Sequence, residues 1–101
     1  MDLKIFEEIG FTRGEVKVYF ALLSLGESTI GPLSKNSGIT PAKTYPILDK
    51  LKKKGLITSV IKGDIKNFQA FNTNRILNYM AEKKKKLQNE EKEIREILPK
   101  L

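Results

Sequence analysis

Apolar residues recur along this chain with two different spacings. In five segments they are three or four residues apart, the period of an α-helix with one buried face. These segments are residues 2–9, 13–25, 31–37, 41–54 and 73–98. Between residues 56 and 71 the spacing is that of two strands, joined by Gly63-Asp64, a dipeptide typical of two-residue hairpin turns. The pattern predicts a mainly α-helical chain with one small β-hairpin.

Residues that begin or end helices flank these segments. Thr12 and Glu15 fit a capping box, Thr-x-x-Glu, at the start of the second helix. The short third helix has two candidate caps, Thr29 and Gly31, and the sequence leaves both open. Asn72 is a candidate cap for the last helix. These signals predict where each helix starts.

The helix predicted over residues 41–54 has two chemically different faces. Its ends are marked by Thr40 as a cap, Pro41 in the first position and Gly55 after the last turn. One face is apolar and consists of Thr44, Ile47, Leu48 and Leu51. The other carries small and polar residues: Ala42, Pro46, Asp49 and Lys53, flanked by Lys43, Tyr45, Lys50 and Lys52. Such a helix can enter a DNA major groove, although an ordinary surface helix with solvated lysines shows the same pattern.

The order of the segments indicates a fold. Two short helices joined by a glycine-containing turn, residues 31–37 and 41–54, make a helix-turn-helix. The hairpin that follows carries Lys62 and Lys66 near its tip and would form a wing. We therefore expect a winged helix-turn-helix domain over residues 1–72, followed by a C-terminal helix over residues 73–101.

Charge and composition limit the classes of function that this chain can have. The net charge is +7, and residues 31–72 alone hold eight lysines against two aspartates, a net charge of +6. A segment this basic favours an acidic partner such as double-stranded DNA. The chain has no Cys and no His, which excludes thiol nucleophiles, Ser-His triads and the usual zinc sites. We expect neither enzymatic activity nor a metal or cofactor.

The sequence also indicates where in the cell the protein is located. No segment has the long uncharged apolar run that a bilayer span requires. The N-terminal sequence MDLKIFEEIG is too charged for a signal peptide. We therefore expect no membrane association and a cytoplasmic, nucleoid-associated protein.

The last predicted helix is too long for a small winged domain. At 1.5 Å per residue, residues 73–98 span about 39 Å, so the helix must project. Alternating three- and four-residue spacing marks a coiled-coil seam with two polar layers: Leu77, Met80, Lys84, Leu87, Glu91, Ile94 and Leu98. We expect a homodimer through this helix. An antiparallel pair is favoured because it brings Lys84 toward Glu91 of the partner subunit, whereas a parallel pair would oppose like charges.

A family resemblance covers nearly the whole chain. The stretch FTRGEVKVYFALLSLGESTIGPLSKNSGITPAKTYPILDKLKKKGLI resembles the N-terminal DNA-binding domain of the TrmB-type archaeal transcriptional regulators. The Tyr45-Pro46 pair is also similar to PadR-type regulators, a neighbouring winged-helix group. The resemblance implies a winged-helix DNA binder whose C-terminal helix pairs two subunits. Typical members continue into a sugar-sensing domain, whereas this chain ends at Leu101, and we assign no effector site.

Groove geometry assigns roles to individual residues. Ala42 and Pro46 are compact enough to approach thymine methyl groups, and Lys43 and Lys50 can reach guanine edges or phosphates. Since helix 41–54 has no Arg, affinity should depend mainly on phosphates, with modest sequence preference. The full set of expected DNA contacts is Ser28, Thr29, Lys35, Thr40, Ala42, Lys43, Tyr45, Pro46, Lys50, Lys62 and Lys66.

Three functions fit these expectations. The first is a sequence-preferring transcriptional regulator, the reading favoured by the resemblance. The second is a small basic chromatin-type protein that coats DNA, which the short chain and all-lysine basic surface would suit. The third is a winged helix used for contacts with other proteins, against which the strongly positive middle segment argues.

Overall fold

The computed structural model describes residues 2–101, which form five α-helices and one antiparallel hairpin. The bounds are α1 Lys4–Glu8, α2 Arg13–Leu25, α3 Ile30–Ser37, α4 Pro41–Lys53, β1 Ile57–Lys62, β2 Ile65–Ala70 and α5 Arg75–Ile97, with a 3-10 turn at Leu98–Lys100. Element order and type confirm a mainly α winged helix-turn-helix with a long C-terminal helix. Over residues 2–101, no helix combines the length and apolarity needed to cross a membrane.

Helix α2 is the centre of the core. The predicted capping box is present: the Thr12 hydroxyl accepts from the Glu15 amide and the Glu15 carboxylate accepts from the Thr12 amide, both at 3.1 Å. Val18 and Leu22 are fully buried, and α2 contacts α1, α3, α4 and β2. The buried apolar residues are Phe11, Val16, Val18, Tyr19, Ala21, Leu22, Leu33, Leu48, Leu51, Leu56, Ile57 and Phe68.

Helix α4 packs on α2 through the face predicted from its sequence. Thr44, Leu48 and Leu51 are buried, and Ile47 is half-buried. The approach is close at Gly14 of α2, where a Cβ would lie 2.9 Å from the Ile47 Cδ1 atom. A side chain at position 14 would therefore require the end of the Ile47 side chain to move.

The end of α4 is closed by a Schellman motif. Gly55 has φ +78°, its amide donates to the Lys52 carbonyl at 2.9 Å, and the Leu56 amide donates to the Leu51 carbonyl at 3.1 Å. Leu51 and Leu56 are both fully buried, which supplies the apolar contact that accompanies this motif. The motif turns the chain directly from α4 into β1.

Three predicted side-chain caps do not form. Thr40 and Thr29 occupy the N-cap positions of α4 and α3, but neither side chain accepts a capping hydrogen bond. The Lys43 amide donates instead to the Thr40 carbonyl, at 3.1 Å. Asn72 does not cap α5, because the chain first makes a turn in which Asn72 accepts from the Asn74 amide at 2.8 Å, and the helix starts at Arg75.

The hairpin has the predicted turn. Lys62 pairs with Ile65, and both turn residues have positive φ, +53° at Gly63 and +65° at Asp64, as a type I′ turn requires. A third segment extends the sheet at its base, where Ser28 exchanges two backbone hydrogen bonds with Phe68, of 2.9 and 2.7 Å. This bridge ties the loop before α3 to the wing.

A buried ion pair connects the start of α2 with the end of α4. The Lys54 Nζ atom lies 2.7 Å from the carboxylate of Glu15, whose residue is 1% exposed. The same Nζ lies 5.7 Å from the ring centres of Phe11 and of Tyr79 on α5. Burial alone would raise the Glu15 pKa, but the hydrogen bonds from Lys54 and Thr12 and the Lys54 charge outweigh it, so the pKa is lowered. The Lys54 ammonium thus lies where α2, α4 and α5 meet.

Glu15→Gln should lower stability in a pH-dependent way. Because the folded-state pKa is depressed, the contribution of the pair is present above the ordinary Glu value and is lost as pH falls through the folded pKa. At pH 7 we expect a loss of roughly 1–3 kcal/mol, below that for a fully buried pair, because the partly exposed Lys54 can turn toward solvent. Urea unfolding of both proteins from pH 7 to pH 3 should show the difference shrinking. Glu8→Gln, at an exposed site, is the control, and a constant difference across this pH range would contradict the account.

Candidate DNA-binding surface

The face of α4 opposite the core is open to solvent over its whole length. Ala42, Lys43, Pro46 and Lys50 are exposed, and Tyr45 is 51% exposed. This face follows directly from the burial of Leu48 and its neighbours, since residues on opposite sides of a helix cannot both reach the core. The structure therefore brings the α4 candidates together on one surface.

Hydrogen bonds in the turn between α3 and α4 fix the angle at which α4 is presented. Gly38 ends α3 in the left-handed conformation, with φ +74°. The Ile39 carbonyl then accepts from the hydroxyls of Ser34 and of Thr44, the second at 3.2 Å. Because Ser34 belongs to α3 and Thr44 to α4, these two bonds hold the helices to the same turn. Thr44 is therefore buried on the core face of α4, and its hydroxyl also donates hydrogen bonds to the carbonyls of the turn.

Ser28 does not lie on this surface, which corrects the sequence-based assignment. It is 7% exposed, its amide and carbonyl pair with Phe68, and its hydroxyl donates to the Thr29 carbonyl at 2.8 Å. Its role is to join the loop before α3 to the wing. The half-buried Thr29 next to it and the exposed Lys35 remain candidates at the two ends of α3.

The wing lies beside α4 and completes a groove. The groove has a volume of about 350 Å³ and is lined by Tyr45, Pro46, Leu48, Asp49, Lys52, Lys66 and Phe68. Lys52 of α4 donates to the Ser59 hydroxyl of β1 at 2.6 Å, which joins the two walls. The exposed Lys66 therefore faces the same groove as the outer face of α4.

The second wing lysine is paired within the protein. Lys62 Nζ lies 2.6 Å from the Glu27 carboxylate, and the two side chains are 62% and 34% exposed. An ion pair this exposed contributes about 0–1 kcal/mol, so a phosphate can compete for Lys62. Sequence reasoning missed this pair because the two residues lie in different elements.

Most lysines near α4 have no carboxylate partner. Within residues 2–101, carboxylates lie within 4.0 Å of only four basic side chains: Arg13, Lys54, Lys62 and Arg95. Lys43, Lys50 and Lys66 are thus exposed and uncompensated. A surface of this kind attracts a polyanion such as DNA, and binding is favoured because counterions condensed on the polyanion are released.

Helix α5 projects from the domain with an exposed apolar row. None of its residues is buried, and its large apolar side chains are open: Leu77 63%, Met80 41%, Leu87 65%, Ile94 53% and Ile97 46% exposed. Leu98, in the turn after α5, is 57% exposed. All seven residues of the predicted seam are solvent-exposed in the single chain. The longest dimension of the chain, 57 Å against 31 and 26 Å, reflects the projecting helix.

Comparison with known proteins identifies relatives of this fold and sequence. A family model described as the sugar-specific transcriptional regulator TrmB matches residues 6–74. The sugar sensing transcriptional regulator TrmBL1 of Pyrococcus furiosus is 29% identical over 80 residues, which is 79% of this chain and 23% of TrmBL1. The chain thus spans less than a quarter of that relative.

Solved structures share the fold. TrmBL2, described as an archaeal chromatin protein, superposes with a TM-score of 0.85 at 20% identity over 96% of this chain and 38% of its own. Sso10a-2, a DNA-binding protein from Sulfolobus solfataricus, gives a TM-score of 0.54 at 17% identity over 90% of this chain and 97% of its own. The match over residues 6–74 includes the capping box, the helix-turn-helix and the wing. This chain belongs to the TrmB family of transcriptional regulators.

Proposed function

We propose that this chain is a DNA-binding transcriptional regulator that acts as a winged-helix dimer, with α4 in the major groove and the wing on the backbone or an adjacent groove. The observation that carries the proposal is the exposed, uncompensated basic face of α4 beside the wing groove. Family membership supports it, because the matching family model describes transcriptional regulators. The proposed function includes no enzymatic step, metal or cofactor. We propose that the protein acts in the cytoplasm, where DNA is accessible.

Each part of the surface has a physical role in this proposal. Ala42 and Pro46 allow close approach to base edges, and Lys43 and Lys50 reach guanine edges or phosphates. Thr40, Tyr45 and Lys66 suit phosphate contacts that position the helix. Further contacts come from Thr29, Lys35 and, after release from Glu27, Lys62. Because these cations are lysines, which act as point charges, phosphate contacts should supply most of the affinity.

A specific observation favours a second candidate. The cations on α4 are lysines, without an arginine to make the common bidentate contact with guanine. Such a surface suits a chromatin-type protein that coats DNA, and the structural relative TrmBL2 is described as a chromatin protein. The proposal of a regulator requires base selectivity, and the coating alternative does not.

Selection of bound sequences from a random duplex pool separates these two candidates. A regulator should enrich one site, with two related halves if it binds as a dimer. Enrichment should persist at 150–200 mM salt, roughly physiological strength, where phosphate contacts are weakened. A flat selection with tight binding would favour the coating protein. Absence of binding to any duplex at 50 mM salt would contradict both.

Substitutions on the two faces of α4 should have opposite effects. Lys43→Ala and Lys50→Ala should weaken DNA binding and leave the melting temperature nearly unchanged, because both side chains are exposed. Leu48→Ala, at a residue 2% exposed, should cost about 2–5 kcal/mol of stability by opening a cavity. Fluorescence anisotropy with labelled duplex and thermal unfolding provide the two readouts. A stable Leu48→Ala protein, or undiminished binding by both lysine variants, would contradict the assigned faces.

The exposed row on α5 supports a dimer. A lone helix this polar is marginally stable in water, and pairing would cover Leu77, Met80, Leu87 and Ile94. We propose an antiparallel pair centred near Leu87. In that arrangement Lys84 lies toward Glu91 of the partner subunit, and the winged domains are at opposite ends of the coil.

Cysteine cross-linking tests the orientation in this Cys-free chain. Met80→Cys and Ile94→Cys proteins, mixed and mildly oxidised, should form an 80-to-94 disulfide if the helices are antiparallel. Ready 80-to-80 cross-linking would indicate a parallel pair. Lys92→Cys, off the seam, is the control and should cross-link slowly. Monomers at micromolar concentration, measured by sedimentation, would contradict dimerisation through α5 alone.

A further inference from the structure

A second basic surface lies between the last turns of α4 and the root of α5. It is a cleft of about 340 Å³ whose lining includes Lys50 and Lys53 from α4 and Lys83 and Lys86 from α5, with Tyr79 and Glu82. We call these four lysines and two neighbours the lysine cleft. Lys53, Lys83 and Lys86 are not among the DNA contacts assigned from the sequence.

The charge in the lysine cleft is not balanced by the protein. Lys54, which also borders it, is paired inward with Glu15. In the described part of the chain, none of the four cleft lysines has a carboxylate within 4.0 Å, and Glu82 is the one acidic residue in the lining. Like charges gathered this closely repel one another, so an anion bound between them would be stabilised.

The two walls of the cleft are held in a fixed relation. Tyr79 donates its hydroxyl to the Ile9 carbonyl at 3.2 Å, and the Lys83 ammonium donates to the same carbonyl. At the start of α5, the Arg75 guanidinium lies 3.7 Å from the Phe71 ring centre and donates to the Gly55 carbonyl at 3.4 Å. The root of α5 is therefore attached to the body of the winged domain, and the cleft is a preformed surface.

The cleft continues the DNA-facing side of α4. Lys53 follows Ala42, Pro46 and Asp49 on the same helix face, at spacings of about one turn. Helix α4 has 13 residues and so is about 20 Å long, whereas the major groove is about 12 Å wide. If the first turns of α4 enter the groove and the helix crosses the groove edge, its last turn lies near the phosphates that border the groove.

We propose that the lysine cleft binds the phosphodiester backbone flanking the base pairs that α4 contacts, so that the root of α5 is part of the DNA-binding surface. This inference rests on the proposed function. A phosphodiester backbone fits better than an acidic protein, because the cleft gathers four ammonium point charges beside the helix proposed to enter the major groove. Lys53, Lys83 and Lys86 position the protein and do not read bases. Binding through them extends the footprint beyond the groove occupied by α4.

Paired substitutions on α5 test the inference. Lys83→Gln combined with Lys86→Gln should reduce the slope of log affinity against log salt by about 2, since each phosphate contact contributes about 0.9. The matched control is Lys85→Gln with Lys92→Gln, which removes the same charge from positions about 160–180° from Lys83 and about 100–120° from Lys86 around the helix. The control should change the slope by less than about 0.5, because its lysines face away from the cleft.

A single variant and a footprinting experiment separate a lost phosphate contact from a change in folding. Because Lys83 also bonds to the Ile9 carbonyl, Lys86→Gln alone should be measured, with an expected slope change of about 1 and an unchanged melting temperature. Hydroxyl-radical footprints of the double variant should lose protection at flanking sugars and keep it at the centre. Equal slopes for the double variant and its control, with binding still weakened by Lys43→Ala, would overturn the inference and leave the proposed function intact. Failure of the unmodified protein to bind DNA would overturn both.

Discussion

The structure depends first on the burial of one face of α4 against α2. Leu48 and Leu51 are almost fully buried there, and burial of two leucines contributes about 3–6 kcal/mol before other costs. Gly14 permits the close approach, since any side chain at that position would meet Ile47. Once this face is fixed, the rotation of α4 about its axis is fixed too. The basic outer face is therefore a consequence of core packing.

The Glu15–Lys54 pair extends this constraint to the projecting helix. It joins the first turn of α2 to the residue that ends α4, and its ammonium group lies near the Tyr79 ring of α5. A buried carboxylate is tolerated here because Thr12 and Lys54 both satisfy it. If α5 carries the dimer contact, this pair is one of the contacts that relate α4 to the dimer helix. A fixed half-site spacing requires the two helices to keep that relation.

The local features of the fold were predictable from sequence because their signals are contained in a few neighbouring residues. The capping box at Thr12, the type I′ turn at Gly63-Asp64 and the glycine after α4 are all of this kind. The apolar face of α4 was also correct, since its period is set by the helix itself. Thr40 occupies the predicted N-cap position of α4, but its hydroxyl makes no cap, because the Lys43 amide donates to the Thr40 carbonyl. Asn72 bonds to the Asn74 amide in the turn before α5, and the helix starts at Arg75, later than predicted.

Contacts between distant residues could not be predicted in this way. The sequence around Ser28 is typical of an exposed loop, yet Ser28 is buried because its backbone pairs with that of Phe68. In the sequence Lys54 is the last of three successive lysines, a pattern typical of solvated side chains. In the structure it pairs with Glu15, which is 39 residues away. Charge counts located the basic region correctly, but only the fold shows which lysines are neutralised internally and which remain for a ligand. The DNA contacts and the dimer remain predictions.

Backbone amide NMR during titration with a duplex DNA tests the central claim most directly, because it reports on every part of the surface at once. The account predicts the largest chemical-shift changes in the first two turns of α4, at the start of α3 and around the wing tip, residues 62–66. The exposed seam on the outer half of α5 should change little. Shifts confined to α1 or to the outer half of α5, with α4 unaffected by saturating DNA, would contradict the account.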